Sequence, residues 1–157
     1  MKRVLSIFSL LFCVAFAASV SAQATPQGAP AGTASAPTAG MKITTDAEFS
    51  THMKEIQQQN GMLNKAIKGS MADEATKAAA RLEVLFKNVH GYWNDKKVED
   101  ATTAAQTAVT SLQAVQKALA SNDMAAAETA RATFAGTCTT CHTAHREKLP
   151  EGGFKIK

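Results

Sequence analysis

Four consecutive stretches of this 157-residue chain repeat their apolar side chains at intervals of three and four, and no stretch alternates in steps of two. Such spacing lines one face of an α-helix, whereas alternation in twos lines one face of a strand. The expected fold class is therefore all-α. The first stretch opens at Thr45-x-x-Glu48, a capping box in which two helix-start N–H groups are taken up reciprocally. Its apolar face is Phe49, Met53, Ile56, Leu63 and Ile67. Gly69-Ser70 closes it, and Ser70 with Asp73 is placed to cap the next. The second helix buries Ala75, Ala79, Leu82, Leu85, Phe86 and Val89, and Gly91 weakens its end. The third runs from about Asp95, with Val98, Ala101, Ala105, Ala108, Leu112, Val115 and Leu119 inward. Ser121 or Asn122 caps a fourth, which shows Ala127, Ala130, Phe134, Cys138, Cys141 and His142 on one side and is closed by Pro150 and Gly152-Gly153.

Helices of this size are about 30 to 37 Å long, and connections this short favour antiparallel neighbours. The expected architecture is an antiparallel up-down-up-down four-helix bundle over residues 44–157. Its apolar face is rich in alanine and poor in large side chains, and three of the seven phenylalanines (Phe8, Phe12 and Phe16) fall ahead of it. A bundle lined this way reaches native packing density more readily with bulk from elsewhere.

Ahead of the helices, residues 1–22 read as a signal peptide: Lys2 and Arg3 are basic, Val4 to Phe16 is uncharged and apolar, and Val20-Ser21-Ala22 supplies small residues for cleavage. The apolar core is short for a membrane span, so no stable membrane insertion is expected. Residues 23–43 hold mostly Ala, Pro, Gly, Thr, Ser and Gln and read as a flexible tether. The formal charge of +4 falls by two to +2 when Lys2 and Arg3 leave, so no argument for nucleic acid survives. The expected location is the periplasm.

Of three cysteines, Cys13 lies in the leader, and Cys138 and Cys141 remain. In Cys138-Thr139-Thr140-Cys141-His142 the second cysteine is followed directly by histidine, which is the attachment sequence of a c-type haem. Two thiols must reach two vinyl groups on one edge of a flat ring, and the next residue must bring an imidazole nitrogen to the iron. A helix puts all three side chains on one face. Rival readings fit less well. A redox-active pair would sit at a helix start after a strand, a zinc site would need two more nearby ligands where only His145 is close, and a disulfide across this spacing on a helix closes a small strained loop. The expected cofactor is one covalently bound haem c at Cys138 and Cys141, with His142 as axial iron ligand.

The topology also shows where a second axial ligand would stand. In an antiparallel bundle the start of helix one lies beside the end of helix four. Met53 and His142 then sit at similar heights by helical rise. By periodicity alone an inward Met is as well explained as core filler. His52, turned about 100° from Met53, is the competitor, and its plain reading is a polar side chain at the helix edge. His90, Tyr92 and Trp93 fall at the same end of the bundle, the two aromatics either packing on the haem edge or closing its bottom.

An attachment motif near the C-terminus of a four-helix chain, followed by His145-Arg146, resembles the class II c-type cytochromes, the cytochrome c-prime family, over about residues 44 to 157. That family continues its motif with an aromatic residue and then a basic one. Here His145 stands at the aromatic's place and Arg146 keeps the basic residue, so the resemblance implies a place for Arg146 beside the haem. Low-spin members take a Met from this part of the first helix in a Met-Lys context, which Met53-Lys54 matches, and Met53 becomes the expected second axial ligand. The resemblance also brings the option of a homodimer.

The function expected is that of an electron carrier serving redox partner proteins, not an enzyme, since two filled axial positions leave the iron no place for substrate. The alternative is a five-coordinate gas-binding cytochrome c-prime, taking NO or CO, if Met53 does not ligate.

Overall fold

The computed structural model describes residues 42–157, and the expected signal peptide and all but the last two residues of the expected tether lie outside them. Four α-helices run in order: α1 (Asp46–Lys68), α2 (Ala72–Asp95), α3 (Glu99–Ala120) and α4 (Met124–His145). They are about 33 to 36 Å long by helical rise. Each packs on the next, as expected of an all-α four-helix bundle.

The capping box at Thr45 forms: Thr45 Oγ1 accepts from Glu48 N at 3.2 Å and Glu48 Oε2 accepts from Thr45 N at 3.0 Å. Glu48 also accepts from the Thr44 N–H and hydroxyl, and these bonds, the backbone one foremost, hold its carboxyl down to about 2. Ile43 is buried and Lys42 pairs with Asp95, so the ordered domain begins ahead of Thr44 and takes in the end of the expected tether. One apolar side chain among small polar ones carries too little pattern to show this.

The three interhelical turns share one design. Ser70, Lys97 and Asn122 each stand at positive φ, just past a helix end. The N–H of the following residue reaches back to Ala66, Trp93 and Ala118 respectively, which closes the last turn of the helix. Ser70 is therefore the left-handed residue that ends α1 and not the cap of α2, whose N-cap is Met71 with no side-chain cap bond. α2 runs past Gly91 to Asp95. α4 is capped by Asp123, which accepts from Ala126 N at 2.9 Å, and not by Ser121 or Asn122.

α4 ends at His145, short of Pro150. Beyond it the chain forms a hairpin that the sequence pattern does not predict: β1 (Arg146–Lys148) pairs antiparallel with β2 (Phe154–Ile156). Gly152 and Gly153, both at positive φ, turn the chain between them. The hairpin caps α4, since Lys157 N donates to His145 O at 3.1 Å and Lys157 Nζ to Thr143 O at 3.3 Å. Two strands of three mostly exposed residues carry no alternation to read.

Leu63, Leu82, Leu85, Leu112, Val115 and Phe134 are the largest fully buried side chains. Seven buried alanines on α2, α3 and α4 let these helices approach closely. α4 packs along α3 but meets α1 at few points, so the seam between the first and last helices is the loosely closed side of the bundle.

Candidate functional site

Polar contacts fix which flank of α1 faces α2. Arg81 Nε donates to Glu55 Oε1 at 2.6 Å, and Asn88 Nδ2 donates to His52 Nε2 at 3.4 Å. Met53, Asn60 and Asn64 lie within about 40° of one another on the other flank, by 100° per residue. On α4, Ala126 and Ala130 line a shallow groove against Ala114 and Ala118 of α3. Cys138, Arg131 and His142 fall together on the opposite flank of α4, again within about 40°. The α1–α4 seam thus has Met53, Asn60 and Asn64 on one lip and Arg131, Cys138 and His142 on the other, with Cys141 about 60° from Cys138 on the inward side.

Heights agree as well. Lys68 at the end of α1 acts electrostatically on Glu128 at the start of α4, so these two ends are neighbours. From Lys68 back to Met53 is about 22 Å of helical rise, and from Glu128 on to His142 about 21 Å. Met53 is partly buried and packs against the core, so inward placement holds for it in part. Met62 is 52 % exposed and Met71 lies at the far turn, so neither competes.

Burial along α4 changes with height. Ala127 and Phe134 are buried in its first half, while Cys138, Cys141 and His142 are only half-buried. Cys138 and Cys141 are free thiols. Burial foremost, with Cys141 beside it, pushes the Cys138 thiol up to about 11, and burial with the nearby Asp100 pushes Cys141 up too. His142 is shifted the other way, below the usual imidazole range, by burial and then by Arg146. At neutral pH the motif therefore holds two protonated thiols and a neutral imidazole. Iron ligation requires that neutral form.

His52 is a correction. It is not an edge residue but 2 % exposed, on the inward arc between Phe49 and Ile56. Its Nε2 takes the Asn88 amide, so Nδ1 carries the proton and donates to Glu48 O at 3.1 Å. Both ring nitrogens are engaged, Nε2 by α2 and Nδ1 by the backbone of α1 itself. The signal was present: position 52 follows Phe49 by three and precedes Ile56 by four.

The bottom of the bundle is an aromatic cluster, as read from the sequence. Phe49 lies 4.5 Å from Tyr92 and 5.5 Å from Trp93 between ring centroids, and Trp93 lies 5.1 Å from His145. His145 therefore packs its ring on Trp93, with Nε2 2.9 Å from Asp100 Oδ2. Arg146 starts the hairpin, its guanidinium 3.7 Å above the Phe154 ring and close enough to act on His142. His90 is half-buried near the same end.

The residues present fit a haem. Cys138 and a neutral His142 lie on the flank of α4 beside the loosely closed seam, Cys141 lies next to them on the inward side, and a thioether stands across the seam. Three buried side-chain atoms have no hydrogen-bond partner among the described residues: Asn60 Oδ1 and Asn64 Oδ1 on the same flank of α1 as Met53, and Trp93 Nε1 in a ring packed on Phe49 and His145. No group of three or more His, Cys, Asp or Glu side chains is arranged to hold a metal ion among the described residues. Among them, too, no helix is long and apolar enough to cross a membrane. Comparison with protein-family models, with curated proteins and with solved structures finds no match. What the site does therefore rests on this chain's own residues.

Proposed function

We propose that this chain is an exported mono-haem c-type cytochrome of the class II kind that carries electrons between redox partner proteins in the periplasm. The observation that carries the proposal is the position of Cys138-x-x-Cys141-His142 beside the one loosely closed seam of the bundle, with Met53 opposite at matching height. Cys138 and Cys141 would hold the haem as thioethers, and His142, as a neutral imidazole, and Met53, through its thioether sulfur, would ligate its iron. The bound haem supplies a one-electron ferric/ferrous couple, which Met/His ligation tunes upward. The protein's own part is to keep both ligands still. His142 is one turn from the hairpin-capped end of α4, and Met53 rides on a helix held to α2 through Glu55–Arg81 and His52–Asn88. Electron transfer needs little rearrangement in such a frame.

A five-coordinate gas-binding protein is the second reading. It is favoured by the partial exposure of Met53 and the few contacts between α1 and α4, which let the thioether leave the iron.

Mass spectrometry of the exported protein tests attachment directly. The wild-type chain carries the added mass of one haem that survives denaturation, and Cys138→Ala with Cys141→Ala loses all of it. An exported wild-type chain without that mass would overturn the proposal.

A further inference from the structure

We propose that the indole N–H of Trp93 is a haem-binding donor, held at the floor of the α1–α4 seam for a propionate carboxylate; this rests on the haem-binding role proposed for the seam. Trp93 is 3 % exposed, and its Nε1 is buried with no hydrogen-bond partner. Such a group has lost its hydration without gaining a partner, and few buried polar groups in folded proteins are left so.

The ring's neighbours give its place. Phe49 of α1 meets it edge-on, and His145 at the end of α4 lies tilted against it. Trp93 thus sits under the two helices that carry Met53 and His142, within one turn of the attachment motif. Other polar groups on this floor are already matched. Tyr92 Oη donates to Asp46 Oδ1 at 2.7 Å, Lys96 Nζ lies 3.2 Å from the same oxygen, and His145 pairs with Asp100. Trp93 Nε1 stays an unpaired donor beside them.

The chemistry selects the occupant. Of the three unpartnered atoms, Asn60 Oδ1 and Asn64 Oδ1 are acceptors and only Trp93 Nε1 is a donor. A carboxylate only accepts, so of the three only Trp93 complements it. A haem anchored by its vinyl edge at Cys138 and Cys141 brings two carboxylates on another edge. An N–H held on a propionate draws its negative charge away from the iron. That favours the ferrous state.

The test is the ferric/ferrous equilibrium of the intact holoprotein, poised against a redox mediator, for wild type, Trp93→Phe and Tyr92→Phe. Trp93→Phe keeps an aromatic ring and removes the N–H. It is expected to shift the equilibrium threefold or more toward ferric, with haem content and visible spectrum unchanged. Tyr92→Phe removes a hydroxyl already bound to Asp46 and is expected to stay within twofold of wild type. Equal equilibria in wild type and Trp93→Phe, with haem attached in both, would overturn the inference and leave haem binding standing. An equal shift in both variants would also overturn it, since packing of the floor would then be the cause. Wild-type protein without covalent haem would remove both the Trp93 donor and the haem site beneath it, and mass spectrometry separates that case from the others.

Discussion

Across α2 and α3 the bundle is closed by leucine, valine and alanine; across α1 and α4 it is not. Leu82, Leu85, Leu112 and Val115 are fully buried where α2 and α3 face each other, whereas the seam between the outer helices holds a half-buried methionine, a half-buried histidine, two thiols and two asparagines with unpaired oxygens. Apolar burial and close packing account for the first side without help. The second side would be a poor core and is a good place to hold something. The difference separates what makes this chain fold from what the chain is for.

Replacing Leu112 by Ala should be the most damaging probe of this contrast, costing about 3 kcal/mol because a tightly packed site cannot collapse on the cavity. Asn64→Leu in the seam should cost nothing, or stabilise by up to about 1 kcal/mol, since it removes a buried carbonyl that has no partner. Urea unfolding of both variants measures the pair. A loss at Asn64→Leu as large as at Leu112→Ala would mean that the seam is packed like the core.

A smaller effect probes the polar edge of the closed side. Glu83 on α2 accepts from Gln113 at 3.0 Å and Gln116 at 2.7 Å on α3 and pairs with Lys87 at 2.8 Å. Lys87 foremost, with Gln113, holds its carboxyl at about 2, below its ordinary 4.5. A carboxyl lowered in the folded state stabilises above its unfolded pKa and loses that contribution as pH falls through the folded one. Glu83→Gln is therefore expected to cost about 1 to 2 kcal/mol at neutral pH. Wild type and variant should converge as pH falls from 4.5 toward 2, in thermal unfolding monitored across that range.

The smallest effect is a gain. Lys97 stands at φ 60° in the α2–α3 turn, a conformation that favours glycine. Lys97→Gly should raise stability by about 0.5 to 1 kcal/mol, read as an increase in melting temperature. No gain would mean that this lysine holds its turn by contacts that outweigh its backbone strain.

Much of the closed side was legible in the chain. The stripes through Leu82, Leu85, Leu112 and Val115 are periodic and apolar, and the capping box at Thr45 and Glu48 is local chemistry that needs no tertiary context. The seam was less legible because its residues break the binary pattern. His52 reads as surface by polarity, yet Asn88 and the Glu48 carbonyl satisfy both its nitrogens and let it be buried. Met53 and His52 differ by about 100° on one helix, and sequence spacing admits both to the inward arc. Trp93 was legible as a buried ring, but not as an unpaired donor, because that depends on what Asp46 and Asp100 do elsewhere on the floor. Ser121, Asn122 and Asp123 are all good capping residues, and only the left-handed backbone of Asn122 assigns the cap to Asp123. The terminal hairpin stayed hidden because exposed three-residue strands leave no stripe.

The most direct measurement on the central claim is the visible spectrum of the exported protein, ferric and ferrous, with and without CO, for wild type and Met53→Leu. Ligation by both Met53 and His142 predicts low-spin bands unmoved by CO in wild type, and a high-spin, CO-reactive iron in Met53→Leu. A wild-type protein that is already high-spin and binds CO, or a Met53→Leu variant with unchanged low-spin bands, would contradict the pairing of Met53 with His142 across the seam.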